Sequence, residues 1–326
     1  MNQNFLSLNA NILSKLEIFI LYNISILPNN WYSIKYFFNF LDLKSDSNQA
    51  VDIFNSIHEL SKKGWLFFNK DCFLMNDFCK QTLFNFSKPN FKYIKNIVNK
   101  LSVYFADFKF NNRNFEYEDI AINIFEYIKK PTKQIAILAH NFSQYFNKFK
   151  QKSLALKYSD LAVKIQTEID DNDDDLCTFY AEKANILNSN GKYSEAIDTG
   201  IKCLDFCVIN NNVNKTKTYA LALCYSVLSS AWNCLKDYNK SLIYSLLAIK
   251  FGEDNNVKNF SQSSIFNNLA ISYFKINDFI NAKDFIIKAF LEFCYENGHK
   301  PNLFSKLYLR KFYYQFRFRL YTFLKK

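Results

Sequence analysis

The sequence predicts a mostly α-helical chain in which a small N-terminal domain precedes an array of stacked helix pairs. Glycine (5) and proline (4) are scarce among the 326 residues, and these two types supply most tight turns. Apolar residues make up 49% of the chain, enough for a sizeable core. Four segments after residue 135 share one spacing of small residues. Scarce turns argue against a sandwich, a barrel or a glycine-looped nucleotide domain, and the repeat favours stacked helices.

Residues 1–88 are predicted to form three short helices followed by a β-hairpin. Apolar residues recur at helical spacing within 13–21, 31–41 and 51–60. Asp46 or Ser47 suits the N-cap of the third helix, and Gly64 suits the position just past its end. The runs WLFF and CFLM then flank the polar turn NKD, which predicts two strands. This order is the winged-helix pattern. The apolar stripe of the third helix consists of Val51, Phe54, Ile57, His58 and Leu60.

Residues 89–134 are predicted to form a linking helical pair. Pro89 and Pro131 bound this segment, and helices usually end at or before such residues. The first stripe comprises Ile94, Ile97, Val98 and Leu101, and the second comprises Ile120, Ile124, Phe125 and Ile128. The acidic residues Glu116, Glu118 and Asp119 fall at the start of the second helix, where the helix dipole favours them.

Residues 135–300 contain the four repeated segments. Small residues early in the second helix of each pair are spaced by 41, 45 and 41 positions: Ala155, Ala196, Ser241 and Ala282. A second small residue lies seven positions later, at Ala162, Cys203, Ala248 and Ala289. The first helices carry Ser143, Ala184, Ser229 and Ala270. Small residues let paired helices approach closely, and each pair leaves a face that its neighbour must bury.

This pattern resembles the tetratricopeptide repeat (TPR) family. The second repeated segment matches the family best, through Ala184, Gly191, Tyr193, Ala196 and Cys203. The spacings exceed the family's usual repeat of about 34 residues, so the helices or the loops between pairs are extended. We expect Asp170–Asp175 and Asn210–Lys217 to be loops. The resemblance implies an α-solenoid whose first helices line a concave groove.

The two regions together resemble the C-terminal half of signal-transduction ATPases with numerous domains (STAND). The phrase that carries the resemblance is Lys62, Lys63, Gly64, Trp65 and Leu66, followed by TPR-like helices. That family places a nucleotide-binding domain before the winged helix. This chain starts at Met1 with the winged helix, so the resemblance implies a protein without the ATPase domain, or an adaptor that uses an ATPase on a separate chain.

Sequence motifs predict no enzyme, no cofactor and no metal. No phosphate-binding glycine loop, zinc-protease motif or hydrolase elbow occurs. The eight cysteines contain no CxxC pair, although Cys203 and Cys207 share a helix face, and they are expected to be reduced, small apolar residues. The N-terminus lacks a signal-peptide pattern, and the apolar run Ile18–Pro28 is too short to span a bilayer. We therefore expect a cytoplasmic protein with no transmembrane segment.

Function is expected in a peptide- or partner-binding groove formed by the TPR-like repeats, as in a scaffold or regulatory adaptor for signalling. Asparagine carboxamides can pair with both halves of a peptide unit, and lysines can hold a carboxylate. Asparagine is common throughout this chain, so composition alone is the alternative explanation. The predicted groove residues are His140, Gln144, Asn147, Lys148, Asn185, Asn188, Ser230, Asn233, Asn267 and Lys275.

The alternative function is a peptide-sensing transcription regulator that binds DNA through its winged helix. A winged helix inserts its third helix into the major groove, and phosphate neutralisation supplies most of the affinity. The start of that helix, Asn48–Asp52, carries no Lys or Arg, and only Lys62, Lys63 and Lys70 lie near the wing. Nucleic acid is therefore the less favoured partner.

Residues 301–326 carry seven basic and no acidic side chains, out of a net charge of +11 for the chain. We expect a basic aromatic helix that caps the last repeat. In the other interpretation its charges contact an anionic membrane surface or a single-stranded nucleic acid. The contact residues would then be Arg310, Lys311, Arg317 and Arg319.

Overall fold

The computed structural model describes residues 13–86, 88–107, 111–169, 174–209, 215–255, 257 and 262–296. The chain divides into two compact units, residues 1–171 and 172–326. The first predicted repeat pair therefore belongs to the N-terminal unit, whereas the sequence analysis grouped it with the other three. Each unit is described by itself below.

The N-terminal unit begins with three helices and three short strands. In order they are α1 (Lys15–Ser25), β1 (Tyr32–Ser33), α2 (Ile34–Phe40), α3 (Asn48–Lys62), β2 (Phe67–Asn69) and β3 (Cys72–Leu74). Ser47 caps α3, because its hydroxyl accepts the N–H of Ala50 at 3.2 Å. Gly64 follows the end of α3 with a φ of 81°, in the left-handed region that glycine adopts without strain.

The strands form one antiparallel sheet in the order β1-β3-β2. The hairpin that the sequence predicts is present as β2 and β3, with Phe68 opposite Phe73. The core beneath it includes the fully buried Trp65, Phe37 and Phe73. The predicted stripe of α3 is partly wrong. Ile57 and Leu60 are buried, but Val51 and Phe54 are exposed, since the buried face of α3 runs instead through Ala50 and Ile53.

Five more helices complete the first unit: α4 (Asp77–Phe86), α5 (Phe91–Ala106), α6 (Phe115–Tyr127), α7 (Lys133–Lys148) and α8 (Lys152–Ile169). The predicted linking pair is present as α5 and α6. Its first stripe is fully buried, as are Ile120 and Ile124 of the second. Helix α5 packs on α7, and α7 packs along α8.

The second unit consists of three helix pairs in the described residues. They are α9 (Asp175–Ser189), α10 (Tyr193–Ile209), α11 (Lys215–Cys234), α12 (Tyr238–Asp254), α13 (Gln262–Lys275) and α14 (Phe279–Glu296). Two predicted loops are shorter than expected, because Asp175 already lies in α9 and Lys215 already lies in α11. Helix α11 has 20 residues, against 15 in α9 and 14 in α13.

The predicted register of small residues is confirmed in both units. Every small position named above is buried, from Ser143 to Ala289. The buried small residues allow the antiparallel helices of each pair to pack closely.

The turn inside each pair has the same backbone geometry. The second residue after each first helix has a positive φ: Lys150 (58°), Gly191 (79°), Lys236 (66°) and Asn277 (67°). At each turn two backbone N–H groups bond back to the ending helix, as when Lys192 donates to Leu187 O at 3.0 Å and Gly191 donates to Asn188 O at 3.0 Å. This arrangement is the Schellman C-cap, which satisfies the last carbonyls of a helix. It recurs at the repeat spacing.

Candidate functional site

The first helices of successive pairs lie side by side in the second unit. Helix α11 packs against both α9 and α13. Six of the predicted groove residues lie on these three helices, and we call this surface the A-helix face: Asn185, Asn188, Ser230, Asn233, Asn267 and Lys275. Five of these side chains are half-buried and Lys275 is exposed.

Two of these asparagines bond across neighbouring helices. Asn188 Nδ2 donates to Ser230 Oγ at 3.1 Å, which joins α9 to α11. Asn233 Nδ2 donates to the carbonyl oxygen of Asn268 at 3.4 Å, which joins α11 to α13. Some of the predicted groove asparagines therefore hold adjacent repeats together.

A buried carboxylate that the sequence analysis missed also lies on this face. Glu182 Oε1 accepts from the Tyr219 hydroxyl at 3.0 Å, and Glu182 Oε2 lies 3.4 Å from Asn185 Nδ2. Burial, and then the charge of Glu182, raises the pKa of Tyr219 well above its usual range, so the phenol stays protonated and remains a donor. An acidic residue inside the apolar run of α9 was the available clue.

The Asn188 carboxamide is only half satisfied. Its Nδ2 bonds to Ser230, but its Oδ1 is buried and accepts no hydrogen bond. A buried unpaired acceptor costs about 1–3 kcal/mol.

The remaining predicted groove residues lie on α7 in the first unit. His140, Gln144 and Asn147 are half-buried and Lys148 is exposed. Burial lowers the pKa of His140 to about 4, so the imidazole is neutral at neutral pH. The neighbouring Asn141 binds α7 to α5 through the carbonyl oxygen of Ser102 at 3.0 Å.

The acidic residues at the start of α6 interact favourably with the helix dipole, and one of them, Glu118, also makes specific side-chain contacts. Glu118 is buried and forms an ion pair with Arg113, and its Oε1 also accepts from the Tyr145 hydroxyl at 2.9 Å. Arg113 lies over the rings of Phe115 and Phe146, at 4.7 and 5.5 Å from the centroids. This cluster is a structural link between α6 and α7.

The described residues contain no group of three or more His, Cys, Asp or Glu side chains placed to hold a metal. Within the same ranges no helix is both long and apolar enough to cross a bilayer. Arg310, Lys311, Arg317 and Arg319 lie outside the described residues.

No protein-family model matches the sequence, and no curated protein matches it. Solved structures resemble the fold. Aspartyl phosphate phosphatase F from Bacillus subtilis has a TM-score of 0.50 at 12% identity, covering 81% of this chain and 69% of that chain. This likeness shows the fold alone.

Two further solved structures have lower TM-scores. BtubC from P. vanneervenii has a TM-score of 0.46 at 16% identity, covering 65% of this chain and 82% of that chain. A STAND protein with a tetratricopeptide repeat sensor, from Pyrococcus horikoshii, has a TM-score of 0.43 at 15% identity, covering 95% of this chain and 54% of that chain. The chain is mostly helical, and its structural neighbours are TPR proteins.

Proposed function

We propose that this protein is a non-enzymatic adaptor that binds a protein or peptide on the A-helix face. The observation that carries the proposal is the row of half-buried polar side chains along α9, α11 and α13, which consists of Asn185, Asn188, Ser230, Asn233 and Asn267. A peptide backbone offers an N–H donor at every non-proline residue. A carboxamide can accept from such a donor and can donate to a peptide carbonyl.

The charges of the face favour an extended segment with few charges of its own. Lys275 is an exposed cation, and Glu182 is a buried anion whose oxygens bond to Tyr219 and Asn185. Carboxamides and hydroxyls make up the rest of the face. Main-chain pairing supplies affinity in this mode of recognition, and side-chain pockets supply specificity.

We also propose that residues 15–74 form a winged helix used for protein contact. The order of the elements and the sheet order β1-β3-β2 support this assignment. The exposed side of α3 and the adjacent strand includes three large apolar side chains: Val51 and Phe54 lie on α3, and Phe67 lies on β2. His58 packs between Phe54 and Phe68, with ring centroids 4.6 and 4.2 Å apart.

The charged residues on the exposed side of α3 argue against the DNA-binding alternative. A helix that enters the major groove needs cations near the phosphates. The exposed side of α3 instead carries Asp52 and Glu59, and its Lys62 is already paired with Glu59 at 2.7 Å. Apolar contact with a protein suits these residues better than a polyanion does.

The test is a quantitative pull-down from lysate without nuclease treatment, using a variant that blocks the A-helix face. Asn267→Arg with Lys275→Glu adds bulk and reverses a charge without removing the bonds of Asn188 or Asn233. The matched control is Ser194→Arg with Lys283→Glu, which changes net charge equally at exposed sites on α10 and α14.

We expect a bound protein that survives moderate salt, is retained by the control pair and is lost with the blocking pair. Circular dichroism and the melting temperature must agree among the three proteins. Equal retention by both pairs would reject the A-helix face as the binding site. Capture of nucleic acid alone, lost as salt rises, would favour the transcription-regulator alternative.

A further inference from the structure

Four buried cysteines meet in one core of the second unit. Cys177 lies on α9, Cys203 and Cys207 lie on α10, and Cys224 lies on α11. The Sγ atoms of Cys177 and Cys207 are 2.7 Å apart, and Cys203 Sγ lies 3.3 Å from the carbonyl oxygen of Cys177. The sequence places Cys203 and Cys207 on one helix face but does not show that Cys177 faces them.

The Cys177–Cys207 pair has the separation that a cross-link needs. A disulfide is about 2.03–2.05 Å long, so less than 1 Å of movement joins these sulfurs. The pair also lies at helix ends, with Cys177 in the first turn of α9 and Cys207 in the last turn of α10. End turns open locally more readily than helix centres, which gives a small reagent access to an otherwise buried pair.

A buried cation lies beside the two thiols. The Lys217 side chain is 3% exposed and its Nζ lies 2.7 Å from Asp174 Oδ1. The hydrogen bond with Cys207 and burial raise the pKa of Cys177 far above its usual range, and the charge of Lys217 opposes this. For Cys207 the hydrogen bond with Cys177 lowers the pKa, but the bond with Cys203 and burial outweigh it and raise the pKa to about 12.

We propose that Cys177 and Cys207 form a reversible disulfide when a hydroperoxide reaches them. Cys207 reacts first, since it retains a little exposure whereas Cys177 has none. With hydrogen peroxide, the Cys207 thiol gives up its proton, its sulfur attacks one peroxide oxygen, and the O–O bond breaks. The hydroxide that leaves takes up that proton as water. The Cys177 sulfur then attacks the sulfenic sulfur, the S–S bond forms as the S–O bond breaks, and the second hydroxide takes up the Cys177 proton as water.

The reaction consumes one hydroperoxide and two thiols, and it yields one disulfide and two molecules of water when the oxidant is hydrogen peroxide. It is slow because neither thiol is ionised at neutral pH, so it needs an excess of peroxide. The product clamps the start of α9 to the end of α10. Helix α9 carries Asn185 and Asn188, so the cross-link stabilises one wall of the A-helix face.

The experiment treats the full chain with excess hydrogen peroxide, quenches it in denaturant with N-ethylmaleimide, and maps tryptic peptides by mass spectrometry. We expect one intramolecular cross-link between Cys177 and Cys207, reversed by dithiothreitol. It persists in Cys203→Ala and in Cys224→Ala, and it is absent in Cys207→Ala. The oxidised wild type and the oxidised Cys203→Ala protein melt about 5–10 °C above their reduced forms.

Peptide mapping of the wild-type protein identifies the two cross-linked cysteines even if a variant folds poorly. The proposal would be overturned if Cys177 and Cys207 were both recovered as alkylated thiols under conditions that oxidise the exposed Cys234. Pairing with Cys203 or Cys224, or a cross-link between two chains, would overturn it as well. This test does not depend on partner binding, so it stands apart from the proposed function.

Discussion

The two units use the same helix-pair register but fill it with different side chains. In the first unit Phe142 contacts the rings of Phe105, Phe146 and Tyr158, with centroids 4.4–4.6 Å apart. The second unit instead buries thiols between its helices, among them Cys177, Cys203 and Cys224, and pairs the hydroxyls of Ser241 and Ser272. Small residues at fixed positions determine how the helices pair. The other buried side chains determine which aromatic, thiol or hydroxyl groups each unit contains. Five sets of substitutions test this comparison.

The largest effect is expected at the aromatic centre of the first unit. Phe142→Ala removes a fully buried ring with five aromatic neighbours and leaves a cavity. We expect a loss of about 3–5 kcal/mol in the free energy of unfolding, measured by urea denaturation. Cys203→Ala in the second unit removes one sulfur and is expected to cost about 1 kcal/mol. Equal losses would remove the distinction between the two cores.

The next effect concerns the buried ion pair of the first unit. Arg113→Met leaves Glu118 buried without its partner and is expected to cost about 3 kcal/mol. Lys164→Met is the control, because Lys164 and Glu168 are exposed and 3.9 Å apart, and it should cost about 0–0.5 kcal/mol. A double variant, Arg113→Met with Glu118→Leu, should recover most of the loss. Failure to recover would contradict the role of the unpaired charge.

Acid is expected to weaken the first unit through His140. Its pKa is about 4 in the folded chain against 6.5 for the free side chain, so the unfolded chain binds the proton more strongly. Stability is therefore complete above about pH 6.5 and falls as the pH drops towards 4, by about 2 kcal/mol between pH 7 and pH 5. His140→Gln should flatten this slope in urea titrations at several pH values. An unchanged slope would assign the acid sensitivity to other groups.

The second unit depends on hydroxyl pairs at its small positions. Ser272 donates to Ser241 at 2.9 Å between α13 and α12, and both are fully buried. Ser241→Ala leaves the Ser272 hydroxyl without its acceptor and is expected to cost about 1 kcal/mol. The double variant with Ser272→Ala should cost less than the sum of the two single variants in calorimetry. Additive losses would show that the bond contributes nothing.

The smallest effect is expected at the shared turn. Lys236 has a φ of 66°, a region that costs a non-glycine residue free energy. Lys236→Gly should raise stability by about 0.5–1 kcal/mol, and Gly191→Ala should lower it by about 1 kcal/mol. Paired thermal melts measure both. A loss on Lys236→Gly would mean that the lysine side chain stabilises the turn by other contacts.

The sequence predicts the register because backbone approach demands small residues at a fixed spacing. It predicts side-chain direction less well. Val51 and Phe54 match a helical stripe, yet they are exposed, since two overlapping stripes fit α3 and only packing chooses between them. Asn188 and Asn233 lie on the expected helices, but their bonds to Ser230 and Asn268 depend on the rotation between helices. The contact of Cys177 with Cys207 is hidden from sequence for the same reason.

The extra length of α11 shows how such an array absorbs an insertion. The small residues of the second and third repeats, Ala196 and Ser241, are 45 positions apart, whereas the other spacings are 41. The difference of four residues is close to one helical turn. An added turn lengthens a helix by about 6 Å and leaves its remaining residues pointing in nearly the same directions. Lys217 and Tyr219 lie near the start of this longer helix, beside the cysteine pair and Glu182. Whole-turn changes in length can thus add polar groups at one end of a repeat while its packing surface stays intact.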